Sequence, residues 1–124
     1  MNIEVSNAEI LDKFSILSIK LEKIKDKDKV SNVYTEHKYL NKFYDEIIEK
    51  NKKIIKLYRE LKNINLQLWE IEDNIRIKEN KLSFDEEFIN LARNVYKYND
   101  ERSRIKKEIN ILTKSNFIEE KSYE

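Results

Sequence analysis

The chain has 124 residues, 40% charged and another 40% apolar, with 25 Lys+Arg against 24 Asp+Glu. Charges this evenly balanced and interspersed create no overall field to gather nucleic acid or anionic lipid. Glycine, proline and cysteine are all absent, which argues against hairpin-rich β folds and excludes glycine-rich phosphate loops, disulfides and thiolate metal sites.

The length predicts a single domain over residues 1–124. Its opening residues, Met1 to Val5, lack the apolar core of a signal peptide. No apolar run approaches the roughly 20 residues of a membrane span, so a cytoplasmic setting without membrane contact is the expectation. The first helix start is well marked. Ser6-Asn7-Ala8-Glu9 has the form of a capping box, and Val5 and Ile10 occupy the two hydrophobic-staple positions around it. Ile10, Phe14, Leu17, Leu21 and Ile24 then recur at four- and three-residue steps, predicting a helix over 7–26. The alternating run Lys25 to Lys29 reads as a solvated turn.

Val30, Val33, His37, Leu40, Tyr44 and Ile47 form a second stripe, predicting a helix over 30–50. Apolar residues then vanish for one turn, from Glu49 to Lys53, without a helix breaker. Residues 30–80 therefore read as one helix or as two joined at Asn51. Two are favoured, because a single helix would span roughly 75 Å. The third helix, 52–80, carries Leu57, Leu61, Ile64, Leu68, Ile71 and Ile75. Ser83-Phe84-Asp85-Glu86 repeats the capping-box pattern and starts a fourth helix, 84–114. Its seam runs through Phe84, Phe88, Leu91, Val95, Tyr98, Arg102, Ile105, Ile109 and Leu112, with one charged member. Residues 115–124 lose the period and read as a tail, with Phe117 and Ile118 available to fold it back.

Polar residues flank two of these seams. Asn65, Trp69, Glu72, Asp73 and Arg76 lie beside the third stripe; Arg93, Tyr96, Asn99, Lys106 and Asn110 lie beside the fourth, with Arg102 inside it. In a hairpin turning near Leu82, Arg93 and Asp73 are level, and so are Asn65 and Asn99. Arg102 sits about 28 Å from the turn, beyond the reach of Asp73. Its partner must come from helix one, helix two, another subunit or a ligand. An up-down-up-down bundle puts Arg102 near the height of His37 and Asn65, a polar layer able to fix helix register. The same cations also suit an anion pocket, since arginine binds carboxylates and phosphates through paired planar bonds.

His37 is the only histidine, so no metal site is expected. Glu70, Glu72 and Asp73 resemble the carboxylates of helical Mg²⁺ enzymes, but that spacing is common on solvated helices. The Lys50–Lys53 patch is a weak nucleic-acid signal, and Trp69 and the tyrosines read first as packing groups.

Several stretches together resemble a bacterial and phage family of short helical proteins, the domain-of-unknown-function family numbered 6165. They are Ile3 to Glu9 with Asp12-Lys13, Leu68 to Arg76, Leu91 to Tyr96, Asn99 to Arg102, Lys106 to Asn110, and Glu119 to Tyr123. The resemblance is thin over residues 30–60. Where the family pattern carries glycine after the cap, this chain has Ala8, a mild departure because alanine favours helix. The resemblance implies a single helical domain and no particular activity.

The expectation is thus an all-α antiparallel bundle of about four amphipathic helices, the third and fourth long. Its expected role is non-enzymatic interaction or assembly, without cofactor, as a homo-oligomer in which a dimer is favoured. The alternative is a small helical enzyme or binding protein for a phosphate or carboxylate, using Arg93, Arg102 and Lys106. Another protein or a small anionic ligand are the further partners considered; nucleic acid is not expected. The candidate ligand-binding or buried polar group is Asn65, Trp69, Glu72, Asp73, Arg76, Arg93, Tyr96, Asn99, Arg102 and Lys106.

Overall fold

The structure is a computed structural model that describes residues 3–114. It contains four α-helices: α1 (Asn7–Lys23), α2 (Lys27–Lys50), α3 (Ile55–Asn80) and α4 (Glu86–Leu112). A single 3-10 turn, Lys52–Ile54, leads into α3, and no strand occurs among the described residues. Short connections between successive helices make an antiparallel bundle. No helix among the described residues is long and apolar enough to cross a membrane.

The boundaries follow side-chain chemistry. Ser6 Oγ accepts the Glu9 N–H at 3.2 Å, as its capping position predicts. α1 stops at Lys23 rather than Asp26, and α2 starts at Lys27 rather than Val30, because Asp26 caps α2 by accepting the N–H groups of Asp28 and Lys29. The charged run is therefore shared between a three-residue link and the first turn of α2. At the α2–α3 junction the chain does break: Asn51 adopts φ −139°, and its side-chain amide donates back to the Ile47 carbonyl. At the start of α4 the cap is Asp85, which accepts the Phe88 N–H at 2.9 Å, and not Ser83. Ser83 is still engaged in leaving α3, its N–H bonded to the Lys78 carbonyl. α4 thus begins at Glu86, two residues later than the stripe suggests. The expected return of Phe117 and Ile118 lies outside the described residues.

The helices contribute unequally. α1 packs against all three others, whereas α2 rests mainly on α1 and α3 pairs most extensively with α4. Ala8, Leu11, Phe14, Leu17 and Ile19 are all buried on α1, and so are Asp12 and Ser15. The sequence pattern assigns α1 one apolar face; the bundle surrounds it on nearly every side. In α2 only Ile47 is buried. The core joins Ala8, Leu11 and Phe14 to Ile47, Ile54, Tyr58, Leu61, Ile64, Ile105 and Ile109. Burial of this kind is worth about 1.5–3 kcal/mol per large apolar side chain.

Length mismatch shapes the rest. At 1.5 Å per residue α1 spans about 25 Å, against about 40 Å for α3 and α4. The α3–α4 hairpin therefore runs on past the end of α1 as a two-helix arm, and no residue from 72 to 104 is buried.

Candidate functional site

Three helices meet at a polar layer beneath the arm. Asp12 of α1 is its centre, with a side chain only 4% exposed. The Arg102 guanidinium faces it edge-on: Nε donates to Asp12 Oδ1 at 3.0 Å, and a terminal nitrogen donates to Oδ2. The other terminal nitrogen reaches Asn99 Oδ1 at 3.4 Å. Asn65 of α3 donates from Nδ2 to both Asp12 Oδ1 and Ser15 Oγ, each at 2.8 Å. Ser15 in turn donates to the Asp12 carbonyl at 2.7 Å. Lys106, with a side chain 9% exposed, pairs with Glu9 and lies 3.6 Å from Asp12 Oδ2. One turn lower, Asn110 is fully buried and accepts the Ala8 N–H through Oδ1 at 2.9 Å. That bond satisfies a donor that the start of α1 leaves without an intrahelical partner. The Asn110 Nδ2 is buried with no hydrogen bond to any described residue.

The layer balances its charge, two carboxylates on α1 against two cations on α4, and it pins α1 to both long helices. The bidentate fork is the strong geometry for arginine and carboxylate. Arg102 thus finds its partner on helix one, one of the four sources open to it from the sequence.

Above this layer, where α1 parts from α3, lies a cleft of about 360 Å³. Ile16, Ile19 and Leu68 form its apolar wall; Asn65, Trp69, Glu72, Asp73, Arg76 and Arg102 complete the lining. Six of the ten residues singled out in the sequence therefore gather around one cavity. Asn99 and Lys106 join the ionic layer instead. Arg93 and Tyr96 line neither: both are exposed on α4, Tyr96 to 54%, and no ion pair links Arg93 to Asp73 among the described residues. The cleft could seat a small apolar group against its wall, with carboxylates and a guanidinium at the rim.

The residues sequence reasoning missed are Glu9, Asp12 and Ser15. A signal was present: Ala8, Asp12, Ser15 and Ile19 repeat at four-three-four spacing, a second stripe on α1 whose first three members are small or polar. Such a stripe marks a face that other helices approach closely.

His37 belongs to a different cluster. It bonds Ser18 Oγ through Nε2 at 3.0 Å and stacks on Phe14, whose ring also stacks on Tyr44. Burial, and then the charge of Lys62, push the His37 pKa below its ordinary value. Burial raises the Tyr58 hydroxyl to about 12, and Tyr44 shifts the same way. Among the described residues no group of three or more His, Asp or Glu side chains is placed to hold a metal ion.

Fold and layer together define an all-helical bundle pinned by a partly buried ionic network. The chain belongs to the family of unknown function DUF6165, whose sequence profile matches residues 1–124. No curated protein and no solved structure matches the chain.

Proposed function

We propose that this protein is a non-enzymatic helical interaction or assembly module, a rigid bundle that presents its α3–α4 arm to a protein partner. One observation carries the reading: the Arg102 and Lys106 side chains are directed onto Asp12 and Glu9. An anion bound there would have to displace carboxylates already bonded to both cations, and the nearly buried Asp12 would be left without its counterions. Apolar side chains left on the surface support the same reading. Ile77, Leu82, Phe84 and Ile89 are each at least half exposed around the end of the arm, a local concentration of apolar groups that suits an interaction surface.

The competing reading, a phosphate or carboxylate site built from Arg93, Arg102 and Lys106, makes the opposite prediction. Trp69 is the only tryptophan and lines the cleft, so its fluorescence reports occupancy. Inorganic phosphate, nucleotides and dicarboxylates should leave both the melting temperature and the Trp69 emission unchanged. A ligand at a hundred times its Kd would stabilise the fold by about 2.7 kcal/mol, well within detection. A saturable rise in melting temperature that disappears in both Arg102→Met and Lys106→Met would overturn the module and establish the anion site.

A further inference from the structure

The arm ends in a turn of unusual chemistry. The Ser83 N–H bonds the Lys78 carbonyl and the Leu82 N–H bonds the Glu79 carbonyl, the paired bonds of a Schellman exit. Such an exit needs a left-handed residue, normally glycine or asparagine. Here the position is Leu82, at φ 54°. Leucine is strained in that region, and its side chain is 74% exposed, so no burial offsets the cost. The other left-handed residue among those described, Lys114, is one that water solvates readily. Leu82 is neither relaxed nor hidden.

The turn around it is held firmly. Lys78 bonds both Asp85 and Glu87, Ser83 Oγ bonds Asp85, and Phe84 packs edge-to-face on Phe88 at 5.2 Å. Lys78 is raised and Asp85 lowered from their ordinary pKa values by their mutual hydrogen bond. A fixed apolar knob at a loop tip, where polar residues are the rule, is preorganised for docking.

Charge selects the occupant. The turn and its flanks, residues 78–87, carry Glu79, Asp85, Glu86 and Glu87 against Lys78 and Lys81, an acidic excess of two. At the far end of the long helices, Glu49, Lys50, Asn51, Lys52, Lys53, Ile54 and Leu112 line a hollow of about 380 Å³. Its lining carries three lysines against Glu49, and with Glu46 paired to Lys50 at 3.1 Å the balance stays basic by one; Leu112 there is 49% exposed, with Ile111 beside it at 54%. Two knobs brought together would repel, whereas a knob and a hollow attract.

We propose that the knob of one copy docks in the basic hollow of a second copy, closing an antiparallel dimer in which this contact is made twice. Two-fold closure matters because one knob is small beside the roughly 1,600 Å² of a standard interface. The proposal rests on the interaction-module reading and names the partner that the arm takes.

The absence of native cysteine makes the test clean. A Leu82→Cys chain is mixed with a Lys53→Cys chain, oxidised mildly and resolved by mass. The mixed covalent dimer is the expected product. Predominant Leu82→Cys homodimers, or a monomer in sedimentation at several hundred micromolar, would overturn the docking while leaving the ligand test of the module untouched. Leu82→Asn separates assembly from folding: it should weaken association more than about tenfold, yet melt no lower than the wild type at a dilution where both are monomers. Unchanged association in Leu82→Asn would equally defeat the proposal.

Discussion

Replacing Asp12 with alanine removes the hub of the ionic layer and leaves Arg102, Lys106 and Asn65 facing a gap. Breaking a buried pair by deleting one partner costs about 3–5 kcal/mol. The Asp12 side chain is 4% exposed but that of Arg102 is 26% exposed, so water recovers part of the loss and the lower end applies. Asn65 keeps Ser15 as an acceptor, and Lys106 keeps Glu9. A total of about 3 kcal/mol is expected, which lowers the melting temperature by about 10–15 °C for a chain of this size. Urea unfolding followed by helical circular dichroism measures the loss, and an unchanged m-value shows that the native bundle persists. The stronger assay is the cycle Asp12→Leu, Arg102→Met and the double variant. An apolar pair of similar volume often replaces a buried ion pair with little loss, so the double should be more stable than the sum of the singles predicts, with a coupling of about 2–3 kcal/mol. Coupling below about 0.5 kcal/mol, the limit for independent sites, would refute the layer as a cooperative lock.

Three further outcomes follow from single contacts. Because the folded His37 pKa lies below its unfolded value, its contribution is complete above about pH 6.5 and fades as acid protonates the unfolded chain first. Melting temperature should therefore drop as pH falls below 6.5, and His37→Gln should flatten that part of the profile; an identical slope in the variant would contradict the assignment. Ser6→Ala removes the α1 cap and should cost about 1 kcal/mol by urea unfolding. Ala8 is fully buried, its N–H bonded to Asn110, so Ala8→Val should overpack the contact at a cost of about 1–3 kcal/mol. A variant as stable as the parent would show slack between α1 and α4.

The fold was legible because its signals are local. Four-three spacing and the residues that satisfy free helix ends act within a turn or two of chain, so the helical stripes and the Ser6 cap could be read directly, whereas the break at Asn51 was favoured only on helix length. Ser83 and Asp85 show where local reading falters. Both suit a cap two residues apart, and the Schellman exit from α3 decides between them. Much of the cleft was legible too, since Asn65, Trp69, Glu72, Asp73 and Arg76 share one flank of one helix.

How many neighbours each helix has is a different kind of fact. A helix with one main partner covers one stripe, and α2 only half-buries its own, with Ile47 alone fully inside; α1, enclosed by three helices, buries side chains around most of its girth, Asp12 and Ser15 among them. No spacing rule marks Asp12 as the counterion of Arg102, because the two lie ninety residues apart in the chain and meet only through packing. The sequence by itself thus determined the helices and their ends, for periodicity and capping are properties of neighbouring residues. The tertiary structure alone decided which helix stands at the centre and which charges neutralise one another, for burial and ion pairing depend on what the rest of the chain brings alongside.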